Sequence, residues 1–278
     1  AGLVLHASYD RTFETPAVEN ILLASANRVN ELGGEGAFLP LQPSRGHFFE
    51  AGFAKSIAGR FRIGGVAYRR VIGNYADDSV LFNTGVSFPI TFANAHIYGY
   101  EAKLDMPRWG IFSASASYAN MIGYGQTPVT GGLFLGDEAD ELLEEPGTFP
   151  ITQDQRNTVR ARIRAQVHKR AWLAFAGRYN SGLPVELEGP TDEEFVEAQY
   201  GRNILDKINF ERGRVRPSST WDISAGFDLF KHERGSARFV FDALNITDRL
   251  NVINFSGVFS GTAIEPRRSF SIRLQTDF

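Results

Sequence analysis

Residues 158–168 read T-V-R-A-R-I-R-A-Q-V-H, and this alternation limits what the chain can fold into more than any other stretch. Val159, Ala161, Ile163, Ala165 and Val167 share one parity; Arg160, Arg162, Arg164, Gln166 and His168 share the other. Pleating turns successive side chains to opposite sides, so a strand here has one apolar face and one strongly polar face. A helix would scatter both sets around its cylinder. The pattern returns along the chain. Trp221, Ile223, Ala225, Phe227 and Leu229 alternate with Asp222, Ser224, Gly226 and Asp228. Phe270, Ile272, Leu274, Thr276 and Phe278 alternate with Ser269, Ser271, Arg273, Gln275 and Asp277. Phe112, Ala114, Ala116 and Tyr118 alternate with three serines, and Leu3, Leu5, Ala7 and Tyr9 open the chain the same way. Residues 61–72 keep the pattern less cleanly, because Gly64-Gly65 interrupts it. A β-bulge there would account for the change of phase.

Alternation and turn signals place strands near 3–9, 47–57, 60–72, 96–105, 109–119, 156–168, 171–181, 218–231, 236–246 and 267–278. The links between them then run about 37, 2, 23, 3, 36, 2, 36, 4 and 20 residues. Long and short links alternate strictly. That is the layout of an outer-membrane barrel, with tight turns on the periplasmic side and long loops outside. The strand lengths suit the ~9–11 residues that a tilted spanning strand needs. A soluble sandwich also alternates, but nothing in it confines long links to every second connection. Long structureless loops are also uncommon in compact soluble domains. The expected fold is therefore all-β: a partial antiparallel up-and-down transmembrane β-barrel of about ten strands, with short helices in long extracellular loops. Helix signals fall in those loops. Thr15-Pro16 begins a helically spaced run stopped by Gly33-Gly34, and Thr191–Glu194 is a capping box with Gly201 as its stop.

Composition narrows the function. Lys plus Arg is 29 and Asp plus Glu is 32, a net charge of −3, which argues against a nucleic-acid binder held by bulk charge. There is no cysteine, so disulfide frameworks, thiolate metal sites and cysteine nucleophiles fall together. No apolar run approaches the ~18 residues of a spanning helix. A mean hydropathy of −0.20 does not oppose a barrel, which carries its apolar residues at every second position. His6, His47, His96, His168 and His232 form no H-E-x-x-H pair, and no G-x-S-x-G elbow, P-loop or strand-linked G-x-G-x-x-G occurs. No catalytic, cofactor or metal residue is assigned, and the chain is not expected to be an enzyme.

Arg160, Arg162 and Arg164 are the most concentrated basic feature. On an inner barrel wall they would face an anionic substrate or an acidic plug surface, or simply line a polar lumen. The acidic runs 137–145 and 192–197 lack the spacing of a calcium loop and read as solvated helix faces. Tyr98, Tyr100, Trp109, Tyr118, Trp172, Tyr179, Trp221 and Phe278 fall near expected strand ends, where amphipathic rings form interfacial girdles. A sugar-stacking surface would instead draw on Phe82, Phe88, Phe92, Phe134 and Phe149 in the long links.

Four segments, in order, carry a resemblance. Ser8–Pro16 (S-Y-D-R-T-F-E-T-P), Arg178–Pro184 (R-Y-N-S-G-L-P), Asn245–Arg249 (N-I-T-D-R) and Pro266–Ser269 leading to the terminal Phe278 resemble stretches of TonB-dependent outer-membrane receptors. The resemblance covers essentially the whole chain, but only the C-terminal part of that family's barrel. It implies a 22-stranded barrel filled by an N-terminal plug. Residues 1–278 are thus expected to be a C-terminal portion, with the plug and early strands absent. It further implies nutrient uptake in the bacterial outer membrane, for example of a ferric siderophore, cobalamin or carbohydrate. The implied partners are the TonB–ExbB–ExbD system, reached through the missing N-terminal region, outer-membrane lipid and a small-molecule ligand. The barrel-assembly machinery would read Phe278 as its signal. Nucleic acid is not among the partners. The alternatives are an independent small outer-membrane barrel (pore, adhesin or surface hydrolase) and a secreted β-rich binding module.

Overall fold

The computed structural model describes residues 2–15, 36–39, 41–81, 86–135, 147–185, 193–232, 235–257 and 261–277. The expected helix after Thr15, the acidic run 137–145 and Phe278 lie outside them. Ten antiparallel strands form one meandering sheet. They are β1 (Leu3–Glu14), β3 (Ser44–Ile57), β4 (Phe61–Leu81), β5 (Val86–Trp109), β6 (Phe112–Leu135), β8 (Asn157–His168), β9 (Ala171–Asn180), β12 (Ser218–His232), β13 (Gly235–Leu244) and β16 (Ser269–Asp277), in that spatial order. Two short strands, β2 (Gly36–Leu39) and β7 (Thr148–Pro150), add to β6. Among the described residues β1 and β16 do not pair with each other, so the sheet has two edges.

Register carries the alternation across the sheet. Leu5 lies opposite Phe53, Ile63 opposite Leu104, Ala114 opposite Ile163, Ile163 opposite Phe175, Phe175 opposite Ile223, and Phe241 opposite both Ala225 and Ile272. One face is thus a continuous apolar band. A one-residue slip at any pair would turn a whole strand inside out, so the pattern itself specifies the register. Nothing covers this band among the described residues: Leu5 is 71% exposed, Ile163 43% and Ile272 73%. A soluble sandwich would bury such a face against a second sheet. Apolar area on this scale is foreign to a monomer in water and suits lipid. Trp109 stands at the tight-turn end beside Phe61, with ring centroids 6.0 Å apart, and Tyr9, Tyr98, Tyr100, Tyr118 and Tyr179 stand toward the other end. From Trp109 to Tyr100 the strand runs about 30 Å at ~3.3 Å per residue, or about 23 Å once tilted by ~40°, close to the hydrocarbon thickness of an outer-membrane barrel.

The buried core lies elsewhere. The β9–β12 connection holds α1 (Glu193–Tyr200), α2 (Arg202–Leu205) and the hairpin β10 (Ile208–Asn209) and β11 (Arg214–Val215). The β13–β16 connection holds the hairpin β14 (Val252–Gly257) and β15 (Gly261–Ile264). Ile204, Leu205, Ile208 and Val215 of the first pack on Val252 and Phe255 of the second, with Tyr200 edge-on to Phe255. Together they form a cap at the long-connection end.

Four expectations change. β6, expected at 109–119, starts at Phe112 and runs on to Leu135, so no 36-residue link follows it. β4 and β5 do not flank a link of some 23 residues: they continue as a long hairpin, with Leu81 paired to Val86. Beyond residue 72 the sequence (G-N-Y-A-D-D-S) no longer alternates between apolar and polar, so the pattern does not reveal the continuation. Gly64-Gly65 is no bulge, since both pair in unbroken register with Ala54 and Phe53. The phase seemed to change because Arg69 stands on the apolar face, opposite Tyr98 near its tyrosine border. Trp172 is no girdle residue. It lies on the polar face, opposite Gly226. The helix expected after the capping box is present as α1, with Gly201 (φ 83°) beyond its end; Thr191 and Asp192 lie outside the described residues.

Candidate functional site

The odd positions of β8 belong to the apolar band, so Arg160, Arg162 and Arg164 share the polar face, about 7 Å apart along the strand. Register adds neighbours that the sequence alone did not join to them. Arg178 lies opposite Arg160 on β9; on the other side Ser117 separates Arg160 from Lys103. A groove of about 380 Å³ takes in Lys103, Asp105, Arg160, Arg162, Arg178 and Asp222. Lys103 pairs with Glu101 at 3.7 Å and Arg178 with Glu265 at 3.5 Å. Among the described residues, Arg160 and Arg162 make no ion pair and are exposed. Two cations therefore face the open polar side with their charge available, flanked by carboxylates that keep the groove from being uniformly positive. Arg164 stands apart. Its guanidinium lies 4.7 Å from the Trp172 ring centre, and its Nη2 donates to Gln166 Oε1 at 3.1 Å. The three arginines thus serve two places rather than one.

Buried polar clusters fasten the cap to this same face. Glu265 accepts from Thr220 Oγ1 at 2.6 Å and from Asn251 Nδ2 at 2.9 Å, beside Arg178. Asp154 is fully buried; it accepts from the Gly123 N–H at 3.1 Å, from Arg156 Nε at 2.9 Å and from Arg214 Nη2. At the turn after β13, Asp248 accepts from Arg267 Nε at 3.0 Å, Arg267 Nη2 at 2.9 Å and the Arg268 N–H at 3.0 Å. The Arg267 guanidinium, with the Arg268 amide, holds the Asp248 carboxyl well below the usual carboxylate range. Apart from Arg156–Asp154, these contacts join residues at least 14 positions apart, and no local motif announces them. Phe92 and Phe149, considered for sugar stacking, instead pack on each other with centroids 4.4 Å apart. The side chains of Phe82, Phe88 and Phe134 lie outside the described residues. No group of His, Asp and Glu among the described residues is arranged to hold a metal ion.

The family model "TonB dependent receptor-like, beta-barrel" matches residues 1–254. The chain belongs to the TonB-dependent receptor β-barrel family. No curated protein sequence matches it. Among solved structures, this receptor barrel is similar to the ferric-catecholate import receptor Fiu from E. coli K12 (12% identity, TM-score 0.62, 99% of this chain and 32% of that one). It is also similar to the FrpB iron transporter from Neisseria meningitidis (15% identity, TM-score 0.60, 99% and 36%). A third is the copper transporter OprC (12% identity, TM-score 0.62, 98% and 36%). The chain spans about a third of the length of each. The place of this receptor barrel is the bacterial outer membrane, with its apolar band toward lipid.

Proposed function

We propose that the ten strands are the C-terminal portion of a larger closed barrel that imports a small-molecule ligand in a TonB-driven step. The two unpaired edges support the first half, because unpaired backbone groups in lipid cost several kcal/mol each and only closure removes them. In this reading further strands join β1 to β16, and an N-terminal plug fills the lumen. TonB, energised by ExbB and ExbD, acts through that plug. Arg160 and Arg162, unpaired on the polar wall, meet an anionic ligand or the plug surface, with Arg164 nearer the tight-turn rim. Phe278 serves the barrel-assembly machinery. The protein is a transporter, not an enzyme. Its ligand is a metal chelate or another scarce nutrient such as cobalamin or a carbohydrate; import of iron and copper by the structural neighbours favours the first.

Uptake of radiolabelled ferric-catecholate, ferric-citrate, copper, cobalamin and maltodextrin tests this in a strain lacking the full gene and in the same strain complemented. One probe should enter only with the gene, and a protonophore or loss of TonB should abolish its entry. Entry that survives the protonophore would identify a passive pore. Recovery of the protein as a monomer without detergent would identify a secreted module. Arg160→Gln/Arg162→Gln/Arg164→Gln in the full-length receptor should weaken probe affinity; unchanged affinity and uptake would remove these arginines from the site.

A further inference from the structure

The β5–β6 and β8–β9 turns leave a notch of about 590 Å³ between them, at the end of the apolar band. Arg108, Arg164 and Lys169 line it together with Gln166, Ile111 and Phe112. Among the described residues no carboxylate lines it. The notch straddles the rim: Arg164 and Gln166 come from the polar face, whereas Phe112 belongs to the apolar band. Two of its cations, Arg164 and Arg108, are held by contacts of their own. Trp172 lies under the Arg164 guanidinium, whose Nε is buried without a partner. Gln166 Nε2 donates to the His168 and Ala171 carbonyls at 3.0 and 3.3 Å, and the Gln166 N–H donates to the Ile111 carbonyl at 2.8 Å. Arg108 Nε donates to the Gly110 carbonyl at 3.3 Å, which leaves its other N–H groups free to reach an anion. Ile111 in the notch, and Trp109 and Val167 just beyond it, are more than half exposed.

Positive charge without counter-charge, beside bare apolar side chains, matches one class of ligand: a phosphate group joined to a hydrocarbon chain. We propose that this notch holds the headgroup phosphate of an anionic phospholipid of the periplasmic leaflet. Arg108, Lys169 and Arg164 hold the phosphate oxygens, and the acyl chains lie along Phe112 and Val167. A soluble phosphate shares the first half of this chemistry and lacks the second.

The test uses the full-length receptor, delipidated in detergent and titrated with phosphatidylglycerol or phosphatidylcholine, with bound lipid counted by native mass spectrometry. Phosphatidylglycerol should be retained over phosphatidylcholine. Glycerol 1-phosphate should compete poorly. Arg108→Gln/Lys169→Gln should lower phosphatidylglycerol affinity about 25-fold, since one interfacial Lys or Arg is worth ~1 kcal/mol, about fivefold. Arg60→Gln, on the neighbouring β3–β4 turn outside the notch, should change it less than twofold. Persistence of the faster-migrating folded band on unheated gels controls for misfolding. Equal retention of the two lipids, equal competition by glycerol 1-phosphate, or an Arg60→Gln loss matching that of the double variant would each overturn the proposal.

Discussion

At the scale of single residues, the sheet repeatedly sets an aromatic ring across from a glycine. Trp221 lies over Gly177, Trp172 over Gly226, Phe53 over Gly65 and Phe149 over Gly125, each pair in direct cross-strand register. The ring fills the space a side chain would take, covering a strand position that is otherwise weak. Aromatic and glycine enrichment was visible in the sequence, with 23 Phe and 28 Gly, but the pairing was not, because register depends on partners tens of residues away. For the same reason Trp172 read as a girdle residue. Its parity was correct for the polar face, and only its place opposite Gly226 and under Arg164 gives it a role. A Cβ at Gly226 would enter the indole, so Gly226→Val should destabilise the barrel by about 1–3 kcal/mol through overpacking. Denaturant unfolding of the receptor in lipid measures this, and Trp172→Leu in the same chain should recover most of the loss. No recovery would mean the ring is not what the new methyls strike.

At the scale of elements, strands were legible wherever one face meets lipid and the other water. β8, β9, β12 and β13 begin and end within two residues of their expected bounds. β4 and β5 were legible only as far as the membrane explains their alternation, and their continuation to Leu81 and from Val86 was hidden. The cap was hidden too. Helix signals located α1, but nothing local says that Val215 meets Phe255 or that Arg214 reaches Asp154. Of the candidate site, the arginine face of β8 was readable from parity; the addition of Arg178 and Lys103 came only with register. The Asp154 cluster ties the cap to the sheet at the element scale. Asp154→Asn keeps an acceptor for the Gly123 amide but leaves the largely buried Arg214 without its counter-ion, at a cost of about 3 kcal/mol or more. Trypsin should then cut the β9–β12 connection at Lys207 or Arg212 at least tenfold faster. An unchanged cleavage rate would show that the apolar cluster alone holds the cap.

At the scale of the whole molecule, the two faces of the sheet face different solvents, and charge should sort them. Ile163 lies midway along the band between Phe112 and Tyr118 of the neighbouring strand. Ile163→Arg should cost ~2–4 kcal/mol of folding free energy in lipid, as for a charge near the bilayer midplane, whereas Ala176→Gln on the opposite face should stay within about 0.5 kcal/mol. Equal penalties at the two positions would contradict the assignment of faces. The flanks of β1 and β16, unpaired among the described residues, bear on how such a polypeptide can be handled. Each offers a ladder of main-chain donors and acceptors ready to zip onto another molecule. Made by itself at the bench, the stretch should come out as insoluble aggregates built flank to flank. If further strands cover both flanks, as proposed above, dispersed material for biophysics or immunisation is better sought from a longer polypeptide that includes them.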